Sequence, residues 1–305
     1  MGRVAVLGIF NADLTFEAKR LPQVGETILG EGFRLGPGGK GSNQAVASAR
    51  AGAAVSMVTR LGRDTFGETA LATWRADGIA TDAVIFDDAR ATGTAFIYVS
   101  TETRDNAIIV ASGAAGALSP ADIDGARATI EAANVFVTQL EQPLAAAERG
   151  LEIARAAGVT TIFNPAPAAP VSDAMLALCD YVTPNQGEAA ALTGLPAGTL
   201  DEARAAAEQL RARGARAVIV TLGAEGALYH DGDVSELVPA VSAGAVSETT
   251  GAGDAFNGAL ATALSEGMAP LVAVRFACAA AGIAVTRAGA AAAMPDRAEI
   301  DALLA

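Results

Sequence analysis

Short apolar runs rich in valine and isoleucine alternate along the chain with longer, alanine-rich segments of helical character. This alternation is typical of a parallel sheet with helices on both faces, so the sequence predicts a three-layer α/β/α sandwich with a mostly parallel central sheet. The predicted strands are Val4–Gly8, Val55–Arg60, Val135–Thr138, Thr160–Phe163, Tyr181–Thr183 and Ala217–Thr221. The predicted helices are Gly41–Ala51, Phe66–Ala76, Leu144–Ala157, Asp201–Arg213 and Asp254–Glu266.

Two segments, Leu14–Leu35 and Thr92–Val110, interrupt this order because polar and apolar positions alternate in them without helical spacing. Each leaves the main fold and returns to it. We therefore expect a small β-sheet lid built from two insertions, about residues 14–35 and 92–110. Such a lid would cover a cleft at the carboxyl ends of the strands, where open α/β sheets bind their ligands. The length of 305 residues fits one such domain better than two equal ones.

Composition narrows the expected partners and compartment. A net charge of −13 would repel a phosphate backbone, so we expect no nucleic-acid partner. No apolar stretch approaches the roughly 18 uninterrupted residues of a membrane span, so no membrane association is expected. Cys179 and Cys278 are far apart and outside any CxxC motif, which predicts neither a disulfide framework nor a zinc site and favours the cytoplasm.

The single histidine, His230, stands beside an Asp231–Gly232 step that is typical of a hairpin turn. Any mechanism in which histidine activates a serine or cysteine would depend on this one residue. We interpret His230 as a surface residue of the turn.

A glycine-rich run, Gly36-Pro37-Gly38-Gly39-Lys40-Gly41-Ser42-Asn43, precedes a predicted helix. It satisfies the dinucleotide pattern G-x-G-x-x-G, but it does not follow the first strand directly and no acidic residue stands at the required later position. A dehydrogenase is therefore a distant alternative. Backbone amides at a helix start, together with Lys40 and Asn43, suit a polyhydroxylated ligand. A glycine loop without function is the competing interpretation.

The strongest chemical signal is the segment Gly251-Ala252-Gly253-Asp254, which opens a long alanine-rich helix. Small residues at these positions let backbone N–H groups converge where the helix dipole is positive, and this predicts an anion hole for a phosphoryl group. Asp254 at its rim could accept a hydroxyl proton. An N-cap is the usual role of aspartate at a helix start, but two glycines exceed what capping requires.

Further polar residues follow the predicted strands. Asn11 and Asp13 come after the first strand and are two apart, so on an extended chain they share a face and could bind one sugar; Asx turns are the alternative. Glu141 reaches the same edge, with plain solvation as its alternative. Asn185 and Glu188 could position hydrated Mg²⁺ and phosphate oxygens, but their spacing fits a capping box equally well.

These motifs together resemble the ribokinase-like (PfkB) carbohydrate kinases over nearly the whole chain. Any single match could arise by chance, whereas eight in register could not. The matches are Asn11-Ala12-Asp13, Gly38 to Ala47, Gly62 to Gly67, Leu140-Glu141, Asn164 to Ala168, Thr183-Pro184-Asn185 with Glu188, Thr221-Leu222-Gly223, and Gly251 to Asp254.

The resemblance implies an ATP- and Mg²⁺-dependent kinase for the primary hydroxyl of a small sugar, with ribose as the expected substrate. It implies that Asp254 is the base, that Thr221 and Gly223 line the nucleotide site, and that the lid pairs two subunits into a homodimer. The residues implied to bind sugar hydroxyls are Asn11, Asp13, Gly39, Lys40, Asn43 and Glu141.

The chain also departs from the family pattern. Glu248 stands where an aspartate usually helps to bind a monovalent cation, so with Thr250 it is a candidate K⁺ site whose dependence on K⁺ is open. Cys278 stands where an adenine-facing histidine can occur, and Ala115 where asparagine is common. The alternatives are a kinase for 2-deoxyribose, fructose or a nucleoside, and a catalytically silent sugar-binding protein.

Overall fold

The computed structural model describes residues 1–103 and 105–305; position 104, inside the second predicted lid segment, lies outside them. The strands are β1 (Arg3–Leu7), β2 (Asn11–Ala18), β3 (Gly32–Gly38), β4 (Ala54–Gly62), β5 (Ala80–Asp87), β6 (Gly93–Ser100), β7 (Asn106–Ala111), β8 (Val135–Thr138), β9 (Thr160–Phe163), β10 (Tyr181–Val182), β11 (Ala217–Thr221), β12 (Gly226–His230) and β13 (Ser235–Pro239). The helices are α1 (Lys40–Arg50), α2 (Thr65–Ala76), α3 (Pro120–Gly125), α4 (Arg127–Glu131), α5 (Leu144–Ala156), α6 (Asp173–Leu176), α7 (Gln186–Thr193), α8 (Leu200–Ala212), α9 (Ala252–Ser265), α10 (Pro270–Ala284) and α11 (Arg297–Leu304).

The central sheet has the order β13-β12-β11-β10-β9-β8-β1-β4-β5. The strands from β11 to β5 run parallel, while β12 and β13 form an antiparallel hairpin at one edge. The structure confirms the predicted sandwich, its six predicted strands and its five predicted helices, with ends that differ by one or two residues. Strands β5, β12 and β13 and several helices, among them α10, were not predicted.

Helices cover both faces of this sheet because every central strand buries side chains on both sides. In β1, Val4 and Val6 pack with α1, α2, α9 and α10, whereas Ala5 and Leu7 pack with α3, α5 and α8. Helix α10 is apolar around most of its circumference and largely buried, so it lacks the amphipathic spacing that would have revealed it.

A second sheet has the order β3-β2-β6-β7 and is formed by the two segments that interrupt the main alternation. Strand β2 pairs antiparallel with β3 and parallel with β6, and β6 pairs antiparallel with β7. Side chains alternate between its faces, so Asn11 and Asp13 lie on one face while Leu14 and Phe16 lie on the other. We call this four-stranded unit the small sheet.

The interpretation of His230 as a surface residue is wrong. The Asp231–Gly232 step does join β12 to β13, but His230 is the last residue of β12 and only 7% of it is exposed. Its Nε2 lies 2.7 Å from Oε2 of Glu208 on α8. The inward position of alternate strand residues therefore outweighs the polarity of the adjacent turn.

Among the residues that the structure describes, no helix is both long and apolar enough to span a membrane.

Candidate active site

The predicted sugar-binding residues gather where the order of the central sheet reverses. The chain leaves β1 for β4 on one side and later returns to β8 on the other, which creates a crevice outside the carboxyl ends of β1 and β8. Asn11 follows β1 and Glu141 follows β8, so both reach this crevice. The N-terminus of α1 also lies here, because the backbone N–H of Lys40 donates to Oε2 of Glu141 at 2.7 Å.

Glycines make room for the polar side chains of β2. A Cβ on Gly38 would lie 2.1 Å from Oδ2 of Asp13, and one on Gly93 would lie 2.3 Å from Oδ1 of Asn11. Gly39 has φ of +88°, and a Cβ there would lie 2.6 Å from the carbonyl oxygen of Ile9. Gly38 and Gly39 are therefore required by close packing around the β1–β2 connection, while ligand binding by the glycine run stays a prediction.

Asp254 does not cap its helix. The N-cap of α9 is Gly251, and the Asp254 side chain is buried, where Nδ2 of Asn43 donates to its Oδ2 at 2.9 Å and Nε2 of Gln44 to its Oδ1 at 3.0 Å. Helices α1 and α9 can approach closely because Gly258 has no side chain. A Cβ there would lie 2.6 Å from the carbonyl oxygen of Gln44. This packing joins residues that are 211 positions apart.

The site concentrates negative charge around one ammonium group. Burial raises the pKa of Asp13 to about 6 and that of Glu141 to about 7, and the charge of Asp254 adds to both effects. Burial also raises the pKa of Asp254, while the Lys40 charge and the two amide donors oppose this shift. Burial acts against the ammonium of Lys40, but the charges of Asp254, Glu141 and Glu188 prevail and its pKa is raised.

The start of α9 borders a cavity of about 740 Å³. None of the predicted sugar-binding residues lines this cavity. Ala252 and Gly253 line it, together with the predicted nucleotide residues Asn185, Thr221 and Gly223. Gly251 has φ of +79° at the turn into the helix. The first N–H groups of any helix have no acceptor within that helix.

Two residues that depart from the family pattern, Cys278 and Ala115, are both buried. Cys278 on α10 lines the cavity, and burial raises the pKa of its thiol to about 12, which keeps it protonated at neutral pH. Ala115 is buried in a short 3₁₀ turn after β7.

Asn185 and Glu188 form the capping box that their spacing allowed. Oδ1 of Asn185 accepts the N–H of Glu188, and Oε2 of Glu188 accepts the N–H of Asn185, both at 2.8 Å. Burial raises the pKa of Glu188, although the N–H of Asn185 and the charge of Lys40 oppose this shift. The box fixes the start of α7 beside the cavity.

The candidate cation residues Glu248 and Thr250 lie in the segment before α9. Oε2 of Glu248 accepts the N–H of Gly289 at 3.0 Å, which ties the segment before α9 to the turn after α10. Thr250 is exposed. Within residues 1–103 and 105–305, no cluster of three or more histidine, cysteine, aspartate or glutamate side chains forms a metal site.

Several buried polar residues at the site were not assigned a role from the sequence. Gln44 and Asn164 lie within matched motifs and connect Asp254 to Thr183, the residue after β10, while Asn257 on α9 bonds the side chain of the same Thr183. The presence of glutamine and asparagine in otherwise apolar core segments was the available signal.

Comparison with known proteins identifies the family. Residues 1–297 match the family described as pfkB family carbohydrate kinase. The chain is 41% identical to a ribokinase of Schizosaccharomyces pombe over 312 residues, covering 99% of this chain and 97% of the relative. It is 38% identical to a deoxyribokinase of Salmonella typhi over 259 residues, covering 85% and 84%. The structure of Arabidopsis thaliana ribokinase complexed with ribose and ATP matches with a TM-score of 0.94 and 30% identity, covering 100% of this chain and 99% of that one. The chain therefore belongs to the pfkB family of carbohydrate kinases.

Proposed function

We propose that this sugar kinase transfers the γ-phosphoryl group of ATP to the primary hydroxyl of D-ribose, with Asp254 as the base. The observation that carries this assignment is the position of Asp254. It lies between a polar crevice and the amide-bearing start of α9, with both carboxylate oxygens held by amide donors. The relatives described above are named for ribose and deoxyribose phosphorylation, which supports the substrate class.

The mechanism needs little covalent chemistry from the protein. Asp254 accepts the proton of the primary hydroxyl while that oxygen forms a bond to the γ-phosphorus and the bond to the β–γ bridging oxygen breaks, releasing ADP. The amides of Gly253 and Asp254 stabilise the negative charge on the transferred group. Lys40, close to Asp254, adds a positive charge to the same region.

Two buried oxygen atoms support sugar binding at the crevice. Oδ1 of Asn11 and Oδ1 of Asn43 are buried and have no hydrogen-bond partner among the described residues. A buried acceptor without a donor is costly, so hydroxyl groups of a bound sugar would remove that cost. We assign Asn11, Asp13, Gly39, Lys40, Asn43 and Glu141 to this role.

Cations complete the proposed nucleotide site. Asn185 and Glu188 would hold Mg²⁺ through water, since Oε1 of Glu188 takes no part in the capping box. When bound, Mg²⁺ would neutralise phosphate charge. Oε1 of Glu248 has no donor in the described part of the chain, so we extend the proposal to a monovalent cation at Glu248 and Thr250. ADP release in K⁺ and in Na⁺ would test this site.

Replacement of the base separates chemistry from binding. We expect Asp254→Asn to lower kcat at least a thousandfold, because an amide cannot accept the hydroxyl proton and the neutral side chain loses its charge beside Lys40. Ribose affinity, measured by calorimetry, should change less than tenfold. Turnover close to wild type would contradict the base assignment, and ATP hydrolysis that no sugar stimulates would favour a silent sugar-binding protein.

The choice between ribose and 2-deoxyribose is open to a direct comparison, and the deoxyribokinase relative makes it necessary. A site that hydrogen-bonds a hydroxyl discriminates strongly against the analogue that lacks it, since a buried polar group is left unpaired. We expect kcat/KM for ribose to exceed that for 2-deoxyribose, fructose and nucleosides in an ADP-release assay. Equal values for the two pentoses would reassign the substrate.

We further propose that the small sheet closes over the sugar and pairs with that of a second subunit. The face opposite Asn11 and Asp13 carries a cross-strand row of Leu35, Leu14, Phe96 and Ile109, fixed by the strand register. Phe16 and Phe33 extend it, with ring centroids 5.0 Å apart. Ile109 is 69% exposed and Phe33 is 55% exposed in the single chain. Large contiguous apolar surfaces of this kind mark interaction sites.

A further inference from the structure

A chain of buried side-chain amides runs from the backbone carbonyl of Thr183, the residue after β10, to the carboxylate of Asp254. Nδ2 of Asn164 donates to the carbonyl oxygen of Thr183 at 2.9 Å. Nε2 of Gln44 then donates both to Oδ1 of Asn164 at 3.1 Å and to Oδ1 of Asp254 at 3.0 Å. Oε1 of Gln44 accepts from Nε2 of Gln139 at 2.6 Å. Gln44 and Gln139 are fully buried, and Asn164 is 6% exposed.

The direction of this chain is fixed at the Thr183 end. A carbonyl oxygen can only accept, so Asn164 must turn its NH₂ group towards Thr183 and its oxygen towards Gln44. Gln44 must then offer N–H to Asn164, and the second hydrogen of the same nitrogen points at Asp254. The orientation of each amide is thus determined by its neighbour, although the two ends of an amide are nearly identical in shape.

From this geometry we propose that Gln44 is a positioning residue for the base: it holds Oδ1 of Asp254 as an obligatory acceptor and fixes the plane of the carboxylate towards the sugar hydroxyl. Gln44 has no exposed surface and cannot touch the substrate. It differs in this from Asn43, which holds Oδ2 and keeps an unpartnered oxygen of its own.

The bond from Gln44 also favours the charged form of a carboxylate that burial would otherwise protonate. Both amide donors lower the pKa of Asp254 against the effect of burial. The charged groups near Asp254 come from four elements: Lys40 on α1 opposes protonation, while Asp13 on β2, Glu141 after β8 and Glu188 on α7 favour it. Loss of the donor at Gln44 therefore shifts the balance towards a protonated, inactive base.

The test compares three variants of the full-length protein by kcat across pH 5–9. Gln44→Met keeps the volume and removes the donor, so kcat should fall roughly ten- to hundredfold. The acidic limb of the pH profile of kcat should move to higher pH, and KM for ribose should change less than threefold. Gln44→Glu is isosteric and places a second carboxyl beside Asp254, so its acidic limb should move further in the same direction.

Gln139→Met is the matched control, because it removes a bond of the same buried type to Gln44 but leaves the direction of the chain set by Thr183. Its acidic limb should stay at the wild-type position even if its melting temperature falls.

The inference rests on the proposed function, and the two can fail separately. If Asp254→Asn stays active, the assignment of Asp254 as the base fails, and the role of Gln44 fails with it. An inactive Asp254→Asn with wild-type pH profiles for both Gln44 variants overturns only the role of Gln44; should Gln44→Met fail to fold, the profile of Gln44→Glu decides.

Discussion

At the scale of single residues, the site gathers acidic groups whose charged forms are poorly solvated. Asp254 is buried, Asp13 and Glu141 are half-buried, and each has a raised pKa. A carboxylate that is desolvated without full compensation weakens the folded state. Under the proposed assignment a bound sugar would supply hydroxyl donors to these groups, so we expect substrate to stabilise this protein.

Glu141 allows this cost to be measured. Its pKa is about 7 in the folded protein against 4.5 for an ordinary glutamate, so the folded state binds more protons between these pH values and stability falls as pH rises through that window. At pH 8 the charged carboxylate costs about 1–2 kcal/mol after allowance for solvent screening. Glu141→Gln should therefore raise the free energy of unfolding by about this amount at pH 8 and give no gain at pH 4.

Urea denaturation of the sugar-free protein at the two pH values provides the measurement. Glu236→Gln is the control, because Glu236 is an exposed carboxylate on β13. The same Glu141 variant should bind ribose more weakly, since it loses a charged acceptor. A gain in stability that is equal at pH 4 and pH 8 would show that the ionisation of Glu141 is not its cause.

At the scale of elements, the start of α9 depends on two glycines with different physical roles. Gly251 has φ of +79°, and a Cβ there would lie 3.0 Å from Cα of Ala290. Gly253 has no atom within 4 Å of the corresponding position and lines the cavity. The first glycine is required by the turn into the helix, and the second leaves space beside the amides.

Gly251→Ala should therefore destabilise the protein by about 2 kcal/mol or more, because it combines a left-handed backbone with a steric contact. Gly253→Ala should leave stability unchanged or raise it by up to about 1 kcal/mol, since alanine favours helix over glycine. We expect Gly253→Ala instead to raise KM for ATP, because its methyl group enters the space next to the anion hole. Thermal unfolding and ATP kinetics on both variants measure the contrast, and equal loss of stability would contradict it.

The same element shows what the sequence could and could not predict. Glycine at a turn and aspartate after it are local signals, so the start of α9 was placed within two residues. The bonds from Asn43 and Gln44 to Asp254 depend on how α1 packs on α9, which no local pattern encodes. Edge strand β5 is only half-buried and its alternation is weak, and α10 is too uniformly apolar, so both escaped prediction.

At the scale of the whole molecule, the small sheet leaves an apolar face that the single chain does not cover. This face belongs to the same strand β2 that carries Asn11 and Asp13 on its other side. Contact between two subunits through it would therefore hold the sugar-binding side chains in place from behind. In the proposed dimer, dimerisation and sugar affinity would be linked, since the same strand would serve both.

Ile109→Asp tests this link, because Ile109 lies at the edge of the apolar row and its replacement introduces a charge into the proposed interface. Burial of an unpaired charge is costly enough to weaken a dimer at least tenfold. Sedimentation equilibrium should show a dimer for wild type and for the control Val272→Asp, which changes an exposed valine on α10, but a monomer for Ile109→Asp. The monomeric variant should also have a raised KM for ribose with little change in its KM for ATP, because β2 contributes to the sugar crevice and lies apart from the cavity beside α9. A wild-type protein that stays monomeric at every concentration would leave the apolar face without a second copy and would contradict the proposed dimer.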